Sequence, residues 1–150
     1  MKRSFTLLFA LMLLLGACKT AQTRASQEKP QPESVETTLN NRWLLNTIND
    51  EPIENSAKEI FLEFRLPESR FFGNAGCNSF NGQIEIKESQ LKIGHVLATR
   101  KYCIDNMELE DRLIGMLSQS EWIVELNDHQ LILSNAKNKL EFNQGEKETE

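Results

Sequence analysis

Between Arg42 and Gln144 the chain repeats one pattern: short segments in which every second residue is apolar, each closed by a turn signal. Alternation of this kind puts the apolar side chains of a segment on one face, which specifies a half-buried strand and excludes an amphipathic helix. EIFLEFRL, residues 59 to 66, sets Ile60, Leu62, Phe64 and Leu66 on one side with Phe61 alone on the other. RWLLNTIN (42 to 49) opens the series with Trp43 and runs into the turn-forming Asn49-Asp50-Glu51-Pro52. Pro67-Glu68-Ser69 links EIFLEFRL to RFFGNAG, a hairpin partner. QIEIK (83 to 87) and QLKIG (90 to 94), separated by Glu88-Ser89, predict a second hairpin with Ile84, Ile86, Leu91 and Ile93 facing one core. EWIVELN (121 to 127), QLILSN (130 to 135) and KLEFN (139 to 143) resume the alternation.

The period changes once. From Ile104, IDNMELEDRLIGMLSQ carries Leu109, Leu113, Met116 and Leu117 at helical spacing, and Asp105 stands three residues before Glu108 in the manner of a capping box. Gly115 inside this helix lowers its propensity by about 1 kcal/mol relative to alanine, which implies close packing against a neighbour. The total is about seven antiparallel strands and one late helix, with no βαβ rhythm. The expected class is therefore α+β: a curved antiparallel sheet or open half-barrel with the helix packed against its open side.

The ends of the chain are of different character. Met1-Lys2-Arg3 precedes the apolar run FTLLFALMLLLGA, which ends in small side chains at position 17, the layout of an export signal. The run falls short of the roughly 20 apolar residues that span a bilayer, so residues 1–17 are expected to be cleaved. Leu15-Gly16-Ala17-Cys18 resembles the lipobox of bacterial lipoproteins, which makes Cys18 the acylated residue and the membrane a partner through its lipid. At about 0.8 kcal/mol per buried CH2, several acyl chains anchor a protein without a spanning helix. Lys19, rather than aspartate, follows the cysteine, and by resemblance to enterobacterial sorting this directs the protein to the periplasmic side of the outer membrane. Residues 18–41 are poor in large apolar side chains and rich in Gln, Glu, Ser, Thr and Pro, a lipid-anchored flexible linker. Residues 145–150 read as an acidic tail. One domain, 42–144, remains, expected to be monomeric.

The formal net charge is -5, and loss of Lys2 and Arg3 with the leader makes the mature chain more acidic. No basic stripe interleaved with aromatics occurs, which excludes a nucleic-acid partner. The same acidity argues against tight adhesion to anionic headgroups.

Of the three cysteines, Cys18 is taken by lipid. Cys77 and Cys103 remain, in a compartment that favours oxidation, and an even remainder there is most simply a disulfide. Closing a loop of about 27 residues removes denatured-state entropy equivalent to about 3 to 4 kcal/mol. A nucleophilic Cys77 would need His95 or His129 as its base, and neither forms a recognisable signature with it. Zinc held by Cys77, His95 and Cys103 would use no familiar spacing. Neither a catalytic residue, a metal nor a cofactor is implied. The surrounding FFGNAGCNSFNG (71 to 82) is then a shaped loop: Gly73, Gly76 and Gly82 open backbone angles, Asn74, Asn78 and Asn81 bond to nearby backbone, and Phe80 plugs the core.

These residues carry a resemblance. Gly73, Gly76-Cys77-Asn78, Phe80 and Gly82, followed by Thr99, Cys103, Glu108 and Leu117, are similar to the META domain of HslJ-like bacterial lipoproteins. The similarity runs from Trp43-Leu44-Leu45 through Leu131-Ile132-Leu133 to Phe142. Lys101-Tyr102 stands where the family commonly has Met-Ala, so the surface around the second cysteine is this chain's own. The resemblance implies a cracked half-barrel similar to pilotin lipoproteins, and a non-enzymatic envelope role in stress tolerance, novobiocin resistance or motility, with an envelope protein or lipid as partner. An alternative is a carrier of lipid or small apolar ligands held between sheet and helix, with Phe64, Phe71, Phe72, Leu113 and Met116 as its lining; each of these also reads as ordinary core.

Overall fold

Alternation along each strand leaves one apolar face per segment, and the chain buries all of these faces by rolling a single sheet onto itself. The computed structural model describes residues 32–53, 58–104, 106–127 and 129–146. Its strands are β1 (Arg42–Ile48), β2 (Glu51–Pro52), β3 (Ile60–Arg65), β4 (Arg70–Ala75), β5 (Ser79–Lys87), β6 (Gln90–Ala98), β7 (Ser120–Asn127), β8 (Gln130–Ser134) and β9 (Lys139–Gln144). Helix α1 (Pro32–Leu39) precedes them and α2 (Met107–Leu117) lies between β6 and β7. The strands follow one another in the order β2-β1-β3-β4-β5-β6-β7-β8-β9, and β1 pairs a second time, with β9, from Trp43 opposite Gln144 to Ile48 opposite Leu140. All pairings are antiparallel.

The expected open half-barrel of about seven strands is therefore corrected to a closed eight-stranded barrel, with β2 as a two-residue extension of the first hairpin. The β1–β9 pairing removes both sheet edges, and closure of this kind depends on long-range register that local alternation does not encode. The Asn49-Asp50 turn was legible: both residues are left-handed, with φ of 54° and 66°, as a two-residue hairpin requires. Two bulges shape the barrel. β1 carries an extra residue between Leu45 and Thr47 against β9, and β6 carries one between Ile93 and Val96 against β5.

The interior is side chain. Trp43, Leu62, Phe64, Phe71, Leu91, Leu131, Leu133, Leu140 and Phe142 are all fully buried. Phe71 lies between Phe64 and Phe80, with ring centroids 6.3 and 5.9 Å away.

Each end of the barrel has a helix. The linker expected over 18–41 is corrected at its C-terminal end, because α1 and the two residues after it belong to the folded body. Leu39 is fully buried and its carbonyl accepts the Trp43 indole N–H at 3.0 Å. The Asn41 carbonyl accepts from Phe64 N and the Asn40 side chain from Leu66 N, at 3.0 and 3.1 Å. Composition hid this element, since one leucine is all the apolar surface the plug needs. Cys18 and the rest of the expected linker lie outside the described residues, as does the leader. At the other end of the chain, Gly145 N donates to the Arg42 carbonyl at 2.9 Å, so the first residue of the expected acidic tail is tied to the barrel.

α2 packs on β4 and β6 at the opposite end, burying Leu113 and Leu117. Its N-cap is Asn106, whose side chain makes no cap hydrogen bond; Asp105, the first residue of the expected capping box, lies outside the described residues. The close packing expected at Gly115 is also corrected: the residue is exposed, and an added Cβ would meet nothing within 4 Å. Among the described residues, no helix is long and apolar enough to cross a membrane.

Candidate functional site

β4 ends at Ala75 and the chain must reverse into β5 within three residues. Gly76 does this with φ of 98°, a backbone angle that a residue with a Cβ adopts only with strain. Asn74 Oδ1 accepts from Gly76 N at 2.8 Å, and Ala75 N donates to the Asn78 carbonyl at 3.0 Å, closing the loop. Within it Cys77, only 4% exposed, forms a disulfide with Cys103, whose Cα is 6.2 Å away and 26 residues on.

Asn78 uses every polar atom it has. Its backbone N–H donates to Glu110 Oε2 at 2.7 Å and its Nδ2 to Glu110 Oε1 at 2.6 Å. Nδ2 also reaches the Lys101 carbonyl at 3.0 Å, while Oδ1 accepts from Thr99 Oγ1 and Lys101 N, both at 2.7 Å. Asn78 and Glu110 are 1% and 4% exposed. A buried carboxylate is tolerated only when its lone pairs are met, and here two N–H groups of one residue meet both oxygens. Glu110 also sits in the first turn of α2, where the helix dipole favours negative charge. Disulfide and carboxylate together fasten the loop after β4 to the segment 99–103 and to α2.

The expected loop is shorter than FFGNAGCNSFNG: Gly73 lies in β4, and Phe80 and Gly82 in β5, where the two glycines act through space. Gly73 lies opposite Phe80 in the β4–β5 register, and a Cβ there would collide with the Phe61 carbonyl and the Phe80 ring. Gly82 likewise leaves room for Phe71, whose Cε1 would be 2.6 Å from an added Cβ.

The structure separates the other candidates. His95 is exposed on β6, and His129 stands in the β7–β8 turn at the far end of the barrel, its Nδ1 3.0 Å from Gln144 Oε1. Among the described residues, no group of three or more His, Cys, Asp or Glu side chains gathers as a metal site. Of the expected ligand lining, Phe64, Phe71 and Leu113 are fully buried in one packed core and Met116 is half-buried against it. Phe72 is corrected. Consecutive residues of a strand face opposite ways, so Phe71 points inward while Phe72 points out, its ring flanked by Arg65 and Arg70 at 4.7 and 5.4 Å from guanidinium carbon to centroid.

Glu110 is the residue that sequence reasoning missed, having singled out Glu108, which is exposed. The signal was available: Glu110 precedes Leu113 and Leu117 by three and seven positions, so it is a charge on the apolar stripe of the helix.

Other proteins are similar to this chain in sequence or fold. The chain is 25% identical over 135 residues to the heat shock protein HslJ of Escherichia coli K12, an alignment covering 89% of each chain. An NMR structure of a protein from Burkholderia xenovorans superposes with a TM-score of 0.62 at 20% identity, over 86% of this chain and 99% of that one. A lipocalin-like protein from Bacteroides uniformis superposes with a TM-score of 0.51 at 18% identity, over 72% of this chain and 99% of the other, a likeness of fold alone. Residues 36–147 match the model of the META domain, a span that takes in α1 from Glu36 as well as the barrel. The chain belongs to the META domain family.

Proposed function

We propose that this protein is a non-enzymatic binding module of the bacterial envelope, exported by residues 1–17, held at the outer membrane by lipid on Cys18, and acting in stress tolerance through contacts made by the outside of its barrel. The observation that carries this reading is the use of Asn78, Glu110, Cys77 and Cys103: each is tied up in fastening the barrel mouth, with both Glu110 oxygens accepting N–H groups of Asn78 and the two cysteines joined to each other. Fractionation of cells tests it. The wild-type chain is expected with the outer membrane and Cys18→Ser with the soluble periplasm, and crosslinking in cells is expected to retrieve an envelope partner. A wild-type chain that is soluble and unacylated contradicts the anchor, and a chain without crosslinks contradicts the binding role.

A second reading, a carrier of lipid or small apolar ligands, is favoured by the closed eight-stranded barrel, an architecture that elsewhere encloses single small ligands. It requires the packed aromatic interior to open. Native mass spectrometry of protein purified from cells and incubated with lipid decides it, and apo protein alone removes the carrier.

A further inference from the structure

On the outer face of the barrel Arg65 and Arg70 are direct cross-strand partners. Like charges placed opposite one another on a sheet are destabilising, and Glu63 and Glu68, 3.0 and 4.0 Å from the Arg65 guanidinium, offset part of that cost. Both guanidinium groups are nonetheless held against one ring, that of Phe72. Arg70 is fixed further by its Nη2 bond to Asn81 Oδ1 at 2.7 Å, and Arg65 by Nε to Glu63 Oε1 at 3.0 Å. Stacking on an aromatic face holds a guanidinium in one plane, which pre-arranges it for an oxyanion with two or more oxygens.

The same ring opens onto a groove. Register places Glu63, Phe72, Asn81 and Leu97 in one row across β3, β4, β5 and β6. With Phe61 and Arg65 these residues line a surface depression of about 490 Å³. Leu97, at the far side from the arginines, is 69% exposed. One end of the groove is thus marked by Arg65, with Arg70 beside it against the same Phe72 ring, and the other by an uncovered aliphatic side chain.

We propose that this groove binds an anionic amphiphile, its phosphate head between Arg65 and Arg70 and its apolar chain against Leu97. The choice of a lipid phosphate over an acidic peptide rests on the separation of charge from apolar surface along one row: an amphiphile has one charged and one apolar end, whereas an acidic peptide carries carboxylates along its length and would set them against Leu97. The acidic balance of the chain, -5 overall, opposes general adhesion to an anionic surface, so the site takes a single headgroup. This deepens the binding-module reading by naming a ligand class, and its test in solution is independent of anchoring and export, so each can fail alone.

The test is an NMR titration of the mature chain carrying Cys18→Ser with dihexanoyl phosphatidic acid, dihexanoyl phosphatidylcholine, inorganic phosphate and a pentaglutamate peptide. Phosphatidic acid is expected to shift the Arg65 and Arg70 Nε–H, Phe72 ring and Leu97 methyl resonances in saturable fashion. Arg65→Gln/Arg70→Gln is expected to weaken this binding at least tenfold without lowering Tm, and Leu97→Ser to weaken it while leaving the response to inorganic phosphate unchanged. No shift in the wild-type chain, equal shifts with phosphatidylcholine, or tighter binding of pentaglutamate would each overturn the proposal. The wild-type titration decides even if a variant fails to fold.

Discussion

Asn78 and Glu110, thirty-two residues apart, form a two-pronged hydrogen bond in which one residue's backbone and side-chain N–H groups hold both oxygens of a buried carboxylate, at 2.7 and 2.6 Å. Removing the donor is worse than neutralising the acceptor. Asn78→Ala leaves a buried charge short of a partner and strands the donors at Thr99 and Lys101, and is expected to destabilise by about 3 to 5 kcal/mol. Glu110→Gln keeps one acceptor but turns an amide donor toward donors, and is expected to cost about 1 to 3 kcal/mol. Urea denaturation of both variants checks the order; equal, small losses would show that the carboxylate is hydrated in solution.

Two glycines make a paired prediction because their surroundings are opposite. Gly73→Ala drives a methyl into the Phe61 carbonyl and the Phe80 ring, and overpacking of this sort costs about 1 to 3 kcal/mol. Gly115→Ala places a methyl in open space on α2 and is expected to stabilise by up to about 1 kcal/mol. Thermal denaturation is expected to move Tm in opposite directions for the two.

Helix α1 belongs to the domain, and its removal measures that. Leu39→Ala is expected to lose about 2 to 5 kcal/mol, since the side chain is fully buried in the core. A chain starting at residue 32 is expected to unfold cooperatively, and one starting at residue 42 at a markedly lower urea concentration. Coincident midpoints for the two would return residues 32–41 to the linker.

The surface cluster at the β1–β9 seam predicts a pH dependence. Lys139 Nζ lies 2.7 Å from Glu141 Oε1, and Thr47 Oγ1 donates to Oε2 at 2.8 Å. These two contacts, the lysine first, hold the Glu141 carboxyl below the usual glutamate range, and Lys139 is in turn held above the usual lysine range by Asp50 and Glu141. A depressed folded pKa contributes stability that is present above the unfolded value, about 4.3, and lost as pH falls through the folded one. A carboxyl-detected NMR titration is expected to show Glu141 moving up in Lys139→Met and by a smaller step in Thr47→Val. An unmoved Glu141 in both would mean that the seam is open in solution.

What the sequence disclosed and what it hid divide along one line, local against long-range. The strand alternation, the Asn49-Asp50 turn, the helix before β7 and the pairing of Cys77 with Cys103 each rest on spacing or on cysteine arithmetic, and each is found in the structure. Barrel closure rests on β1 meeting β9 across nearly the whole domain, and no local pattern records it. The strands Ser79–Lys87 and Gln90–Ala98 are longer than their apolar repeats because Gly82 and the β6 bulge interrupt the alternation without ending the pairing. Helix α1 is hidden by its polar composition, the outward face of Phe72 follows from strand alternation and not from residue type, and Glu110 is marked only by being a charge on an apolar helical stripe, whose partner Asn78 is distant in sequence.

The central claim is that the disulfide and the Asn78–Glu110 bond together fasten the segment 99–103 and α2 over one end of an otherwise self-supporting barrel. Hydrogen exchange followed amide by amide, in the oxidised protein and after reduction of Cys77–Cys103, tests it most directly. The expected result is a loss of protection of at least tenfold in α2 and in the amides of Asn78 and Lys101, with β1, β8 and β9 changed far less. Equal loss throughout the barrel, or no loss in α2, would contradict it.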